Sequence, residues 1–333
     1  QSEVPVRTQL LSVVVVLIGT MVSGQSPTLP PPASAAQVFA YDAKAPLDFQ
    51  ERSAEDVRGI KVHDVSYASP KGGRVPAYLV VPPGGGPFAG LVFVHWGQGD
   101  RTEFLAEAAM LAEAGAESLL IDAPYNRTGA PTVDLFTHPE LERDGYIQLV
   151  LDARRGVDLL RSRPEVDAKR IGYVGHSLGA TWGGPLAAAE KRIKALVLMG
   201  GLPTLTDFSG ETYIATMTRK AYNSEQIANY VRVISLINPE KFVGRSAPAS
   251  LFFQFARNDR YITPKFAKQY FDAAAQPKQE KFYFCSHEFN DPEALMDRDQ
   301  FLQRELGLKP VMPIILRQMG IKLAPARVIG KTR

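Results

Sequence analysis

One pentapeptide constrains this chain more than any other stretch. Gly175-His176-Ser177-Leu178-Gly179 follows the strand-like run Arg170-Ile171-Gly172-Tyr173-Val174 and leads into the helix-favouring stretch Leu178 to Glu190. A serine on a sharp strand-to-helix turn needs small residues two positions away on each side, because a side chain there would collide across the turn. Gly175 and Gly179 meet that need. The turn also sets the serine at a helix N-terminus, where the unpaired N–H of Leu178 can donate to a developing oxyanion. Ser177 is therefore a candidate nucleophile; the competing reading of the motif is a glycine-rich structural turn.

Around the pentapeptide, strand and helix signals alternate. Val62 to Ala68 and Arg74 to Val81 read as an antiparallel pair joined by Pro70-Lys71-Gly72-Gly73. A strand Gly90 to His95 follows. Then come a helix near Thr102 to Glu113, a strand Glu117 to Asp122, a helix near Tyr146 to Ser162, the strand and helix flanking Ser177, and a strand Ile193 to Met199. Such alternation predicts an α/β fold with a mostly parallel central sheet and helices on both faces. Between Met199 and Ala249 the chain is longer than an ordinary crossover, and Thr212 to Lys220 and Ser224 to Leu236 have helical patterns. This segment, about 203–247, is expected to form a small helical cap.

The motif, with this order of strands and helices, resembles the α/β-hydrolase superfamily, within it the single-domain dienelactone-hydrolase-like and acetyl-esterase-like members. The resemblance covers about Val62 to Leu306. It implies catalytic residues in the chain order serine, acid, histidine. The chain has five histidines, and only His287 lies after Ser177. It follows the apolar run Lys281-Phe282-Tyr283-Phe284-Cys285, so it belongs on a loop beyond the end of a last strand, where a general base should sit. Asp207, Asp259, Asp272, Asp291, Asp297 and Asp299 all follow the serine. Asp259 closes the strand-like Ala249 to Phe255 and its polar turn, just before a helix opened by Pro264, and superfamily members carry their acid at this place. The alternative role for Asp259 is to stabilise that turn or cap the helix.

The second oxyanion donor is expected in the loop after the strand Gly90 to His95. Superfamily members commonly have His-Gly-x there, whereas this chain has His95-Trp96-Gly97. Position-by-position matching gives the donor N–H to Gly97, with Trp96 second. His95 is expected to support this loop. Trp96, Tyr125 and Trp182 are substrate-pocket candidates by position, the other reading for each being a place in the core or at the rim, and the proline-containing loop Asp122 to Glu140 should lie near the strand ends where ligands bind.

Arg7 precedes the apolar run Leu10 to Ile18 and small residues through Gly24, which reads as a signal peptide, residues 1–24, and implies a periplasmic or secreted enzyme; the rival reading is an uncleaved membrane anchor, for which the run is short. Residues 25–40 read as a proline-rich spacer, 41–333 as one catalytic domain, and 307–333 as a basic C-terminal tail, solvated and loosely packed. Cys285, the only cysteine, cannot form an internal disulfide, and its place near a strand end suggests a buried thiol.

With 45% hydrophobic residues in 333, the chain can bury one large core. A formal charge of +3, without a basic stripe interleaved with aromatics, argues against a nucleic-acid partner and for a small molecule. No metal-ligand spacing and no phosphate-cradling loop stand out, so cofactor-independent hydrolysis is expected. The resemblance implies cleavage of a small carboxylic ester through an acyl-serine intermediate. The alternatives are a peptidase or amidase, and a catalytically silent binding protein on the same fold. True dienelactone hydrolases use a cysteine nucleophile, so the serine at 177 withholds lactone specificity.

Overall fold

The computed structural model describes residues 34–320 other than 58 and 319. The expected signal peptide, most of the spacer and the end of the basic tail lie outside the described residues. No described helix is long and apolar enough to cross a membrane.

In chain order the elements are α1 (Ala35–Val38), β1 (Gln50–Val57), β2 (Ile60–Ala68), β3 (Arg74–Val81), β4 (Phe88–Val94), α2 (Leu105–Glu113), β5 (Ala116–Ile121), α3 (Pro139–Ser162), β6 (Val166–His176), α4 (Leu178–Ala189), β7 (Ile193–Met199), α5 (Tyr213–Ala221), α6 (Ser224–Ile234), α7 (Glu240–Val243), β8 (Ser250–Ala256), α8 (Pro264–Ala273), β9 (Lys278–Tyr283), α9 (Pro292–Leu306) and α10 (Met312–Gln318). Nine strands form one sheet in the order β1-β2-β3-β5-β4-β6-β7-β8-β9. β1, β2, β3 and β5 pair antiparallel. From β5 through β4, β6, β7 and β8 to β9 every pairing is parallel.

The parallel strands read as apolar runs because both of their faces are covered. In β4, Val92 and Val94 enter a core with α3, α4 and α8, while Leu91 and Phe93 enter a second core with α2, α9 and α10. This is the two-residue alternation of a strand expressed on two buried faces. The strand order brings the C-terminal ends of β4, β6, β7, β8 and β9 side by side, and the loops leaving them build the site.

Several elements differ from expectation. β1 was not foreseen, because Gln50-Glu51-Arg52-Ser53 has no apolar alternation; it is an exposed strand held by its ladder to β2. α3 begins at Pro139, seven residues before the expected Tyr146, since proline suits a first helical turn. The last strand starts at Lys278 and ends at Tyr283, which leaves Phe284 exposed and Cys285 only half-buried, so the expected buried thiol is corrected. Residues 35–39, placed by sequence in the spacer, form a capped helical turn with Phe39 fully buried against Phe242. Where a loose tail was expected, α10 packs down with Ile314 and Ile315 buried.

Helix α4 contains Pro185, which has no N–H to give the carbonyl four residues earlier, that of Thr181. Tyr270 from α8 repairs the gap. Its hydroxyl lies 2.8 Å from the Thr181 carbonyl oxygen and accepts the Gly184 N–H at 3.1 Å. The helix that begins at Ser177 is thereby pinned to α8.

Candidate active site

Ser177 occupies the turn between β6 and α4 with φ 53° and ψ −106°, a conformation that a non-glycine residue adopts only when its surroundings impose it. The impositions are visible. A Cβ at Gly175 would come within 2.5 Å of the Gly179 carbonyl carbon, and one at Gly179 would strike the Val94 carbonyl oxygen. The Ser177 N–H donates to Met199 O of β7 at 2.8 Å. The two glycines are thus required by close backbone approach, and the turn lifts the serine hydroxyl off the sheet.

Three loops converge on it. His287, on the segment after β9, has Nε2 2.8 Å from Ser177 Oγ. Its Nδ1 lies 2.7 Å from Asp259 Oδ2, on the loop after β8. The other Asp259 oxygen accepts the N–H groups of Tyr261 at 2.8 Å and Ile262 at 3.0 Å. Asp259 therefore does both jobs considered for it: it braces the turn and faces the imidazole. Its side chain has no solvent exposure and that of His287 has 4%. In so dry a setting a carboxylate fixes the ring's orientation and tautomer. The structure brings Ser177, His287 and Asp259 into one hydrogen-bonded chain.

Leu178 provides the first N–H of α4. Gly97 lies against it, close enough that a Cβ there would meet Leu178 Cδ1 at 3.1 Å. The Trp96 N–H is engaged by Glu103 Oε2 at 2.8 Å, which makes it unavailable to an oxyanion. Of the two expected donors on this loop, Gly97 is left. His95 is buried and neutral in its hydrogen-bonding pattern: Nδ1 lies 2.6 Å from Trp96 O, and Nε2 accepts the Ala123 N–H at 3.0 Å. Burial lowers its pKa, in keeping with a support for the loop.

Ser177 and His287 open into a cleft of about 1240 Å³. Trp96 and Tyr125 line it, as do residues 124–136 of the expected substrate loop and Leu202, Leu205, Tyr213, Tyr222 and Tyr230 from the segment between β7 and β8. Trp182 does not line it: it faces inward from α4, 1% exposed, with its ring stacked on Tyr146 at 4.5 Å. That pocket candidate is corrected to core.

Two features escaped sequence reasoning. Glu142, on the first turns of α3, lines the cleft and accepts a hydrogen bond from Tyr146 Oη at 2.5 Å. Burial pushes its carboxyl up to about 7. Glu103 reaches both Trp96 and His176. Neither has a local signature, since each partner set is assembled from separate segments. Among the described residues no group of three or more His, Cys, Asp or Glu is placed to hold a metal.

Residues 39–241 match the family described as acetyl xylan esterase (AXE1). Among solved structures, the acetyl xylan esterase from Paenibacillus sp. R4 aligns with a TM-score of 0.65 at 22% identity, over 82% of this chain and 92% of that one. The acetyl xylan esterase 1 of Thermoanaerobacterium sp. JW/SL YS485 aligns with a TM-score of 0.62 at 16% identity, over 81% and 92%. At these identities the likeness is one of fold. A mitochondrial acyl-coenzyme A thioesterase 2 of Mus musculus is 33% identical over 129 residues, 39% of this chain and 25% of that protein. The chain spans less than half the length of the curated relatives it matches.

Proposed function

This chain belongs to the acetyl xylan esterase family, and from that premise we propose that it hydrolyses carboxylic esters through an acyl-serine intermediate. The observation that carries the reading is the chain of hydrogen bonds from Ser177 Oγ to His287 Nε2, and from His287 Nδ1 to Asp259 Oδ2, at 2.8 and 2.7 Å.

A serine hydroxyl is a weak nucleophile near neutral pH until a base takes its proton. As Ser177 Oγ bonds to the ester carbon, its proton passes to His287 Nε2, and Asp259 stabilises the resulting imidazolium. The carbonyl oxygen becomes an oxyanion that accepts the N–H groups of Leu178 and Gly97. Collapse of the tetrahedral species expels the alcohol, which takes the proton from His287. Water then attacks the acyl-serine with His287 again as base, and the acid leaves as Ser177 recovers its proton.

The test is turnover of p-nitrophenyl acetate and butyrate, with and without a serine-directed phosphonate, and location of the adduct by mass spectrometry. The expected result is hydrolysis blocked by an adduct on Ser177, and loss of turnover in a folded Ser177→Ala variant. Undiminished turnover in that variant would overturn the assignment.

A second reading is supported by the local likeness to acyl-coenzyme A thioesterases: the same acyl transfer with a thiol as leaving group. Parallel assays with an oxygen ester and a thioester of one acyl chain separate the two by kcat/KM.

A further inference from the structure

Next to the nucleophile, one group of buried polar contacts has no role in the proposed mechanism. His176 precedes Ser177 and has 3% side-chain exposure. Its Nδ1 lies 2.6 Å from Glu103 Oε1, and its Nε2 lies 2.7 Å from the main-chain carbonyl oxygen of His287. The second carboxyl oxygen of Glu103 accepts the Trp96 N–H at 2.8 Å. The His176 ring is stacked on Trp96, with centroids 5.9 Å apart and planes 8° from parallel, and meets the edge of Phe289 at 5.6 Å.

The hydrogen-bonding roles are forced. A carbonyl oxygen only accepts, so His176 Nε2 carries a proton and donates it to His287 O. Glu103 Oε2 accepts from an amide, and the contact between Oε1 and Nδ1 at 2.6 Å also requires a proton between them. A carboxylate beside a singly protonated imidazole cannot satisfy both ends; one further proton on the pair would. The resulting relay runs from the main chain of Trp96 through Glu103 and His176 to the main chain of His287. It starts one residue before the Gly97 N–H, passes through the residue before Ser177, and ends on the backbone of the residue whose ring faces Ser177 Oγ.

We propose that Glu103 and His176 are positioning residues: they tie the oxyanion loop and the histidine loop together across the nucleophile, and so set the spacing between the Gly97 N–H, Ser177 Oγ and His287 Nε2. The proposal rests on the esterase reading for its kinetic consequence but not for its protonation pattern. Neither residue touches substrate; each acts through the backbone it holds. A displacement of about 1 Å among reacting groups costs on the order of a hundredfold in rate, so relaxing the relay should fall on kcat.

Three variants separate hydrogen bonding from packing. His176→Phe keeps an aromatic ring between Trp96 and Phe289 but removes both N–H groups. Glu103→Ala removes the carboxylate. Glu103→Gln keeps the connection, since its amide oxygen can accept the Trp96 N–H while its NH₂ donates to a neutral His176 Nδ1. With p-nitrophenyl acetate as substrate, His176→Phe and Glu103→Ala should each lower kcat by about 10- to 100-fold with KM within about threefold, and Glu103→Gln should stay within about threefold of the parent. The double variant Glu103→Ala/His176→Phe should be no worse than the poorer single one, because the two act as a unit.

Long-range proton–nitrogen correlation spectra of the ¹⁵N-histidine-labelled parent supply a readout independent of turnover. Protons at both His176 ring nitrogens, or one at Nε2 and one resolved on Glu103, support the relay. A single proton shared by the pair overturns it. So does a folded His176→Phe that retains parental kcat, or a Glu103→Gln as slow as Glu103→Ala. If His176→Phe does not fold, the comparison of the two Glu103 variants decides. An inactive parent that takes no phosphonate would sink the esterase reading, and the spectra would still judge the relay.

Discussion

At the scale of single residues, the candidate site was legible wherever chemistry leaves a local mark. Ser177 is marked by the glycines around it, His287 by being the only histidine after the serine, and Asp259 by the strand end and the proline-opened helix beside it. Sequence matching put Gly97 ahead of Trp96 as donor on the expected oxyanion loop, without a physical ground for setting Trp96 aside. The choice turns on Glu103, whose carboxylate occupies the Trp96 N–H from seven residues away and has no motif. Trp182 failed as a pocket candidate because a position one turn into a helix does not say which side of that helix faces the cleft. A prediction belongs to this scale. Asp259→Asn would keep the size of the side chain and the braces to Tyr261 and Ile262 but place His287 in the wrong tautomer. Loss of an equivalent carboxylate elsewhere costs about 10⁴ in kcat, and a similar fall with little change in thermal midpoint is expected here. Steady-state kinetics beside a melting curve check it.

At the scale of elements, periodicity and punctuation gave most parallel strands and the helices capped by Thr212, Asn223 and Thr263, because those strands are buried on both faces, whereas α9 was not foreseen. Strand β1 was invisible for the opposite reason: it is exposed, and its partner across the ladder makes it a strand. The repair of α4 by Tyr270 is likewise tertiary, since Pro185 alone would argue against a continuous helix. Tyr270→Phe removes only one oxygen, yet it strands the Thr181 carbonyl and the Gly184 N–H in a buried interface. Each unpaired buried group costs about 1–3 kcal/mol, so the variant should lose stability in that range or somewhat above it, measured by urea denaturation. A loss below about 0.5 kcal/mol would mean that α4 satisfies those groups without α8.

At the scale of the whole molecule, stability should depend on pH through carboxyls that folding keeps protonated. Asp299 is completely buried, and burial, with the neighbouring Glu107, holds its pKa well above the usual carboxylate range against the pull of Arg298. The folded state therefore keeps a proton that the unfolded chain releases near pH 4. Stability from this group is fully present below that value and falls as pH rises towards the folded pKa, by at most about 1.4 kcal/mol per pH unit. Glu117 and Glu142, pushed up to about 7 by burial, finish their share near neutrality. Above pH 4 the fall of stability with rising pH should be shallower in Asp299→Asn, whose side chain does not titrate. Parallel urea titrations across that range check this; equal slopes in parent and variant would remove Asp299 as the source.

The cleft beside Ser177 has a consequence for what ends the reaction. Its volume of about 1240 Å³ is many times the roughly 30 Å³ that one water molecule occupies in the liquid. On the proposed mechanism, once the alcohol half of an ester has departed, the acyl-serine would face a chamber that admits acceptors much larger than water. Partitioning then becomes a matter of concentration: in mixtures of water with a short alcohol, part of the acyl group should leave as a new ester instead of as the free acid. The ratio of the two products, followed against alcohol content, would measure how open the chamber stays during a turnover.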